Sequence, residues 1–144
     1  MRFALRFVTV VGLAAAVASC GETPTGPSDF APFAQTDVRA GTGAEAVASS
    51  TLTVNYTLWL YSGSAADNKG VRVESSVGAT PFSFILGGTG VIDGWNRGLT
   101  GMRVGGLRRL VIPPSLGYGD TRNGIIPPNA TLLFEIELLD VTTG

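Results

Sequence analysis

The chain has 144 residues, 44% of them hydrophobic, with 10 Lys and Arg against 11 Asp and Glu and a formal net charge of -1. That length and apolar share suit one folded unit, and the balanced charge, with no run of Lys or Arg in the folded part, excludes a surface built to follow a nucleic-acid backbone. Histidine is absent and cysteine occurs once, which excludes a Ser-His-Asp triad, a Cys-His pair, a His- or Cys-ligated zinc and a disulfide within the chain.

Arg2 and Arg6 form a short basic start, followed by an apolar stretch over residues 7–18. The stretch has the length of a signal-peptide core and falls short of the roughly 20 apolar residues that span a membrane easily. Val17-Ala18-Ser19-Cys20-Gly21 resembles the bacterial lipobox, in which the cysteine carries a diacylglyceryl thioether. Residues 1–19 are therefore expected to be a lipoprotein signal peptide and Cys20 the lipidated residue. Residues 20–40, with Pro24, Pro27 and Pro32, have the composition of a flexible tether. The arrangement predicts a protein held by its lipid to a membrane of the bacterial cell envelope, on the extracytoplasmic side, with a folded domain over 41–144.

Within that domain, residues 50–60 alternate, with Leu52, Val54, Tyr56, Leu58 and Leu60 on one face and polar residues on most of the other. Period-two alternation predicts a half-buried strand. Residues 61–70 are polar and rich in turn formers, so they read as an exposed loop. Residues 71–75 and 82–86 are further short strands, and Gly87, Gly88 and Gly90 break the pattern. Residues 93–102 are the one convincing helix, weakened by Gly94, Gly98 and Gly101, each costing up to about 1 kcal/mol relative to alanine. Such a helix must be held by packing. Residues 107–112 form a strand ended by Pro113-Pro114, since proline supplies no ladder donor. Residues 116–128 read as a long loop, and 131–141 as the last strand, with Leu132, Phe134, Ile136 and Leu138 on one face. The fold class that follows is α+β: a curled antiparallel sheet of five or six strands wrapped around one short helix.

Five blocks in this order resemble the FKBP family of immunophilins, peptidyl-prolyl cis/trans isomerases. They are Val54-Asn55-Tyr56-Thr57, Pro81-Phe82-Ser83-Phe84 with Leu86-Gly87, Gly90-Val91-Ile92-Asp93-Gly94-Trp95, Leu116-Gly117-Tyr118-Gly119, and the run from Gly124-Ile125-Ile126-Pro127-Pro128 to Phe134. The resemblance covers about residue 47 to the C-terminus. It implies an apolar pocket that receives a proline ring, with Trp95 as floor and Tyr56, Phe82, Val91, Ile92 and Phe134 as walls. It further implies that the Ile92 amide and the Tyr118 hydroxyl donate to substrate carbonyls, and that Ile125 and Ile126 lie on a mobile loop bordering the pocket. No cofactor is implied; proline-containing polypeptides are the substrates, macrolides the inhibitors, and a monomer the working form. Taken singly, Phe82, Phe84, Phe134 and Trp95 read first as core residues, and Glu74 equally as a solvated strand charge. Tyr118, in a glycine-flanked loop, suits a polar tip at a site.

Three departures from the family pattern stand out. Val73-Glu74 occupies the place of a Phe-Asp pair, so an aromatic wall is expected to be missing at Val73 while Glu74 keeps the charge with a longer reach. The connection over 58–70 is longer than in the smallest members and is expected to add an insertion near the pocket mouth. Asp120-Thr121-Arg122-Asn123 replaces a segment that carries a histidine in familiar members. The expected function is isomerisation of X-Pro bonds in exported proteins by binding the twisted amide. The alternative is a non-catalytic FKBP-like binding or chaperone module, which the loss of an aromatic residue at Val73 keeps open.

Overall fold

A computed structural model describes residues 29–144; the expected signal peptide and Cys20 lie outside them. Strand β2 (Thr51–Tyr61) is the spine. Its alternation buries Leu52, Val54 and Leu58 completely, and it pairs antiparallel with β6 (Leu132–Thr142) from Thr51 opposite Thr142 to Leu60 opposite Leu132. On its other edge β2 holds two shorter strands in turn. β3 (Lys69–Ser75) pairs with its second half and β4 (Phe82–Ile85) with its first. β5 (Leu107–Ile112) joins the free side of β6, and β1 (Ala34–Arg39) joins β5. The order is β1-β5-β6-β2-β3 with β4 beside β2, six antiparallel strands in all, within the five or six expected.

The helix α1 (Asp93–Leu99) buries Gly94, Trp95, Gly98 and Leu99. Its glycines are the surface on which it meets the sheet. A Cβ at Gly94 would stand 2.6 Å from Ile112 side-chain carbons, and one at Gly98 would stand 2.5 Å from Leu110. Removing both methyls lets the helix axis approach β5 closely, so packing compensates the propensity lost to glycine. The helix is shorter than the expected 93–102 because Thr100 leaves helical geometry and Gly101 adopts a φ of +82°, a left-handed conformation that glycine takes without steric penalty.

Alternation along β5 turns Arg108 inward with Leu110 and Ile112, and a charge there must be paired. Its guanidinium donates to the carbonyls of Gly98 at 2.8 Å and Thr100 at 3.4 Å, and to the Asp37 carboxylate at 2.7 Å. The last carbonyls of α1, which have no partners inside the helix, are thereby satisfied. Arg108's hydrogen bond, and after it its charge, hold the Asp37 carboxyl below its ordinary pKa against the opposing effect of burial.

Two expectations need correction. The tether was expected to run to residue 40 and the domain to begin at 41, yet β1 is already paired with β5 from Ala34 opposite Val111 to Arg39 opposite Leu107. Its six residues are all exposed and show no apolar alternation, so nothing in their pattern marks a strand. The ladder and the Asp37–Arg108 pair hold it, and Phe33, packed against the core, carries the Arg97 guanidinium 4.5 Å above its ring. The second correction concerns the insertion over 58–70. β2 runs on to Tyr61, a 3-10 turn covers Ala66–Asn68, and β3 starts at Lys69. Arg109 of β5 donates to the Asp67 carbonyl, while Lys69 pairs with Glu135 at 2.7 Å and sits 4.5 Å over the Trp59 ring. These contacts draw the turn across the outer face of the sheet, where Leu133 lies fully buried between its register partners Trp59 and Val111. No residue from 61 to 70 lines the pocket above Trp95.

Substituting Gly98→Ala tests the helix contact. Helix propensity alone would stabilise the variant by up to about 1 kcal/mol, but the clash with Leu110 is expected to dominate and destabilise it by about 1–3 kcal/mol. Urea denaturation of the two proteins decides the sign.

Candidate active site

The first turn of α1 lowers the Trp95 indole into a ring of aromatic side chains that the strands supply. Tyr56 on β2 and Phe134 on β6 are diagonal neighbours across the ladder, since Phe134 pairs with Leu58, and such neighbours share a face. Phe82 and Phe84, two apart on β4, also share a face and stack at 5.9 Å between centroids. Around Trp95 the centroid distances are 5.2 Å to Tyr56, 5.3 Å to Phe134, 5.4 Å to Phe84 and 6.0 Å to Phe82, mostly edge to face. That geometry suits the ring quadrupoles. The indole is 4% exposed, and its Nε1 has no hydrogen-bond partner among the described residues. The floor is therefore almost wholly buried.

Above it opens a cavity of about 110 Å³, against the roughly 30 Å³ that one water occupies in the liquid. Tyr56, Phe82, Trp95 and Phe134 supply its aromatic surface, Val91 and Ile92 its aliphatic side, and Glu74 and Tyr118 its polar groups. Eight of the eleven pocket residues expected from sequence are thus brought together. Phe84, beneath the ring cluster, belongs to the core.

Val73, Ile125 and Ile126 are not brought in. The ladder bulges between Glu74, opposite Leu58, and Arg72, opposite Trp59, which leaves Val73 without a register partner; Glu74 lines the cavity while Val73 packs half-buried against the core. Val73 therefore supplies no wall to the cavity. Asn123 and Ile126 exchange backbone hydrogen bonds of 3.1 and 2.9 Å, closing a tight turn through Gly124 at a φ of +55°. The turn folds Ile126 into the core at 4% exposure and leaves Ile125 at its tip, 60% exposed. Sequence reasoning missed Gly90, which lines the cavity and where a Cβ would meet nothing within 4 Å. Its only mark in the sequence is a glycine placed directly before the apolar pair.

Polar groups at the cavity are few and specific. The Tyr56 hydroxyl donates to Glu74 Oε1 at 3.0 Å. Burial first, then the Glu74 hydrogen bond and charge, with a smaller contribution from Tyr118, push the Tyr56 phenol up to about 12. The Tyr118 phenol is raised too, by burial and by the Glu74 charge, with Asn123 opposing. Both phenols are protonated at neutral pH and can act as donors. The Ile92 carbonyl accepts from Trp95 N–H at 3.0 Å, whereas the Ile92 N–H has no partner among the described residues. The site can thus seat a small apolar ring and offer a backbone N–H and a phenol O–H to the carbonyls flanking it.

A family model described as FKBP-type peptidyl-prolyl cis-trans isomerase matches residues 43–139. An FK506-binding protein of Neisseria meningitidis is 44% identical over 106 residues, covering 73% of this chain and 92% of the relative. The isomerase FkpA of Escherichia coli is 46% identical over 104 residues, covering 72% of this chain but 36% of the longer relative. The crystal structure of FkpA matches with a TM-score of 0.65 and 39% identity, over 83% of this chain and 53% of that one. The crystal structure of AtFKBP13 also gives 0.65, at 33% identity, over 76% and 93%.

Glu74→Gln removes the charge and weakens the acceptor while leaving the burial of Tyr56 in place. The Tyr56 phenol is expected to titrate below about 12 yet still above the ordinary tyrosine value near 10. Ultraviolet difference titration of the phenolate band reads the change, and an unmoved titration would mean that burial alone raises it.

Proposed function

The chain belongs to the FKBP-type peptidyl-prolyl cis-trans isomerases, and on that footing we propose that the cradle above Trp95 is where a prolyl ring is seated and its peptide bond turned. The barrier to that rotation, about 18–20 kcal/mol, is the resonance lost when the amide twists, and X-Pro bonds left to themselves take tens to hundreds of seconds. Catalysis requires only a place where the twisted amide binds better than the planar one. The planar amide is the more charge-separated form and is held best by water. A buried aromatic floor takes that water away and leaves the less polar twisted form relatively favoured.

The two donors have fixed positions. The unpartnered Ile92 N–H and the protonated Tyr118 hydroxyl would hold the carbonyls on either side of the rotating bond, so that turning costs little further ordering. Glu74, by engaging the Tyr56 hydroxyl at 3.0 Å, keeps that ring against the indole edge. The observation that carries the reading is the four-ring enclosure of an open cavity floored by Trp95. Relatives named FK506-binding proteins support the same cradle as the docking place of a macrolide.

Exported proteins held up at X-Pro bonds are the substrates we propose, reached from a lipid anchor at Cys20 on the extracytoplasmic face of a bacterial membrane. The basic start, the apolar stretch over 7–18 and the lipobox-like Val17-Ala18-Ser19-Cys20 support that placement.

In a protease-coupled tetrapeptide assay the protein is expected to accelerate cis-to-trans conversion. Trp95→Leu should lower kcat/KM by about tenfold or more through loss of the floor, and Tyr118→Phe by about fivefold, the worth of one hydrogen bond of about 1 kcal/mol. Failure of the parent protein to accelerate the reaction would leave only a binding module. For the anchor, Cys20→Ser should move the protein from the membrane fraction to the soluble one, since two or more acyl chains are what make such attachment stable; a variant that stays wholly in the membrane fraction contradicts it.

A further inference from the structure

The segment over residues 87–92 carries one side of the cavity, yet it has little backbone structure of its own. Among the described residues, the only backbone–backbone hydrogen bond donated by an amide of this segment runs from Gly88 to the Ile85 carbonyl, at 3.1 Å. Three of its first four residues are glycine, the residue that loses most freedom on ordering. Gly87 and Gly90 have open space where a Cβ would sit, so side-chain packing does not fix them either. The segment nonetheless places Gly90, Val91 and Ile92 at the cavity and presents the free Ile92 N–H.

One side chain closes this gap. Asn96 Oδ1 accepts from the Gly87 N–H at 2.8 Å, and its Nδ2 donates to the Gly88 carbonyl at 2.9 Å. Only this orientation of the amide satisfies both partners. Among the described residues no other side chain hydrogen-bonds the stretch from 87 to 91. Asn96 is itself fixed by α1, where its carbonyl accepts from the Thr100 hydroxyl at 2.7 Å, and it directly follows Trp95. Consecutive helix residues therefore hold the floor and the glycine-rich side of one cavity in register.

We propose that Asn96 is a positioning residue for the isomerase: its carboxamide stands in for a strand partner, locks the glycine turn, and so sets where Gly90 to Ile92 and the Ile92 amide meet the substrate. The proposal rests on the reading of that amide as a donor to substrate. Neither partner of Asn96 touches the cavity, so its effect travels through backbone placement, to which catalytic geometry is sensitive.

Asn96→Ala removes both bonds while raising helix propensity, so a weakened helix cannot account for a loss. Asn96→Asp keeps the acceptor for Gly87, loses the donor to Gly88 and sets a carboxylate against that carbonyl. In the intact chain kcat/KM should fall about 25-fold for Asn96→Ala, the combined worth of two hydrogen bonds, and measurably for Asn96→Asp. Amide resonances of residues 87–92 should shift in both variants, with those of the sheet unmoved. Titration with a proline tetrapeptide should perturb the Ile92 amide in the parent and perturb it less in the variants. Parent-like kcat/KM with unmoved resonances would overturn the proposal, as would a loss that vanishes when all three proteins are compared at equal folded fraction. An Ile92 amide that ignores the peptide even in the parent would instead remove the donor reading beneath it.

Discussion

The structure depends on the closeness of one helix to one strand. With no Cβ at Gly94 or Gly98, α1 settles against Ile112 and Leu110, and the depth of that contact decides how far the indole on the adjoining turn reaches among the rings of β2, β4 and β6. A helix of seven residues has little stability of its own. Its place comes from burial on one side and, at its end, from Arg108, which satisfies the carbonyls that seven residues cannot satisfy themselves. Because Arg108 also engages Asp37, the edge strand β1 and the helix end share one charged group. Severing either contact would leave a buried guanidinium short of partners, which is costly in a low-dielectric interior.

The rings around Trp95 and the two candidate donors at the cavity differ in origin. Tyr56, Phe82 and Phe134 come from the regular ladder, where register fixes their spacing to within a residue pair. Donors come from irregular backbone, the Ile92 amide from a glycine-rich connection and the Tyr118 hydroxyl from a long loop. The ladder can hold rings without help, but irregular backbone needs anchors, and Asn96 and the Asn123–Ile126 turn are such anchors. At the cavity both phenols have raised pKa values. Tyr56 and Tyr118 both border the one carboxylate there, Glu74, and both are partly removed from water.

Legibility in the sequence followed burial. Leu52, Val54 and Leu58, and Leu132, Phe134, Ile136 and Leu138, alternate because one face is buried, and those strands were readable to within two residues. β1 was not, since an exposed edge strand held by its ladder and a salt bridge carries no periodic mark. The ordered blocks brought seven of the expected cavity residues into view, and the place of the family's Phe-Asp pair brought Glu74. Ile126 and Val73 lie off the cavity because a turn closed by two hydrogen bonds and a bulge in a strand decide which way a side chain points, and neither shows in a residue's identity. Gly90 and Asn96 were missed for a related reason: one acts by lacking a side chain, the other by hydrogen-bonding glycine backbone nine and eight residues back.

The two tryptophans of the chain lie on opposite faces of the sheet. Trp95 is sealed beneath the cavity among four rings, while Trp59 lies half-buried on the outer face with the Lys69 ammonium above it. The protein thus carries two built-in optical reporters with different surroundings. Emission from one responds to whatever displaces solvent over the indole; emission from the other responds to the cation and turn on the far side. Comparing the emission of the parent with that of Trp95→Leu, in which Trp59 alone emits, separates occupancy from loosening of the outer face without any added label.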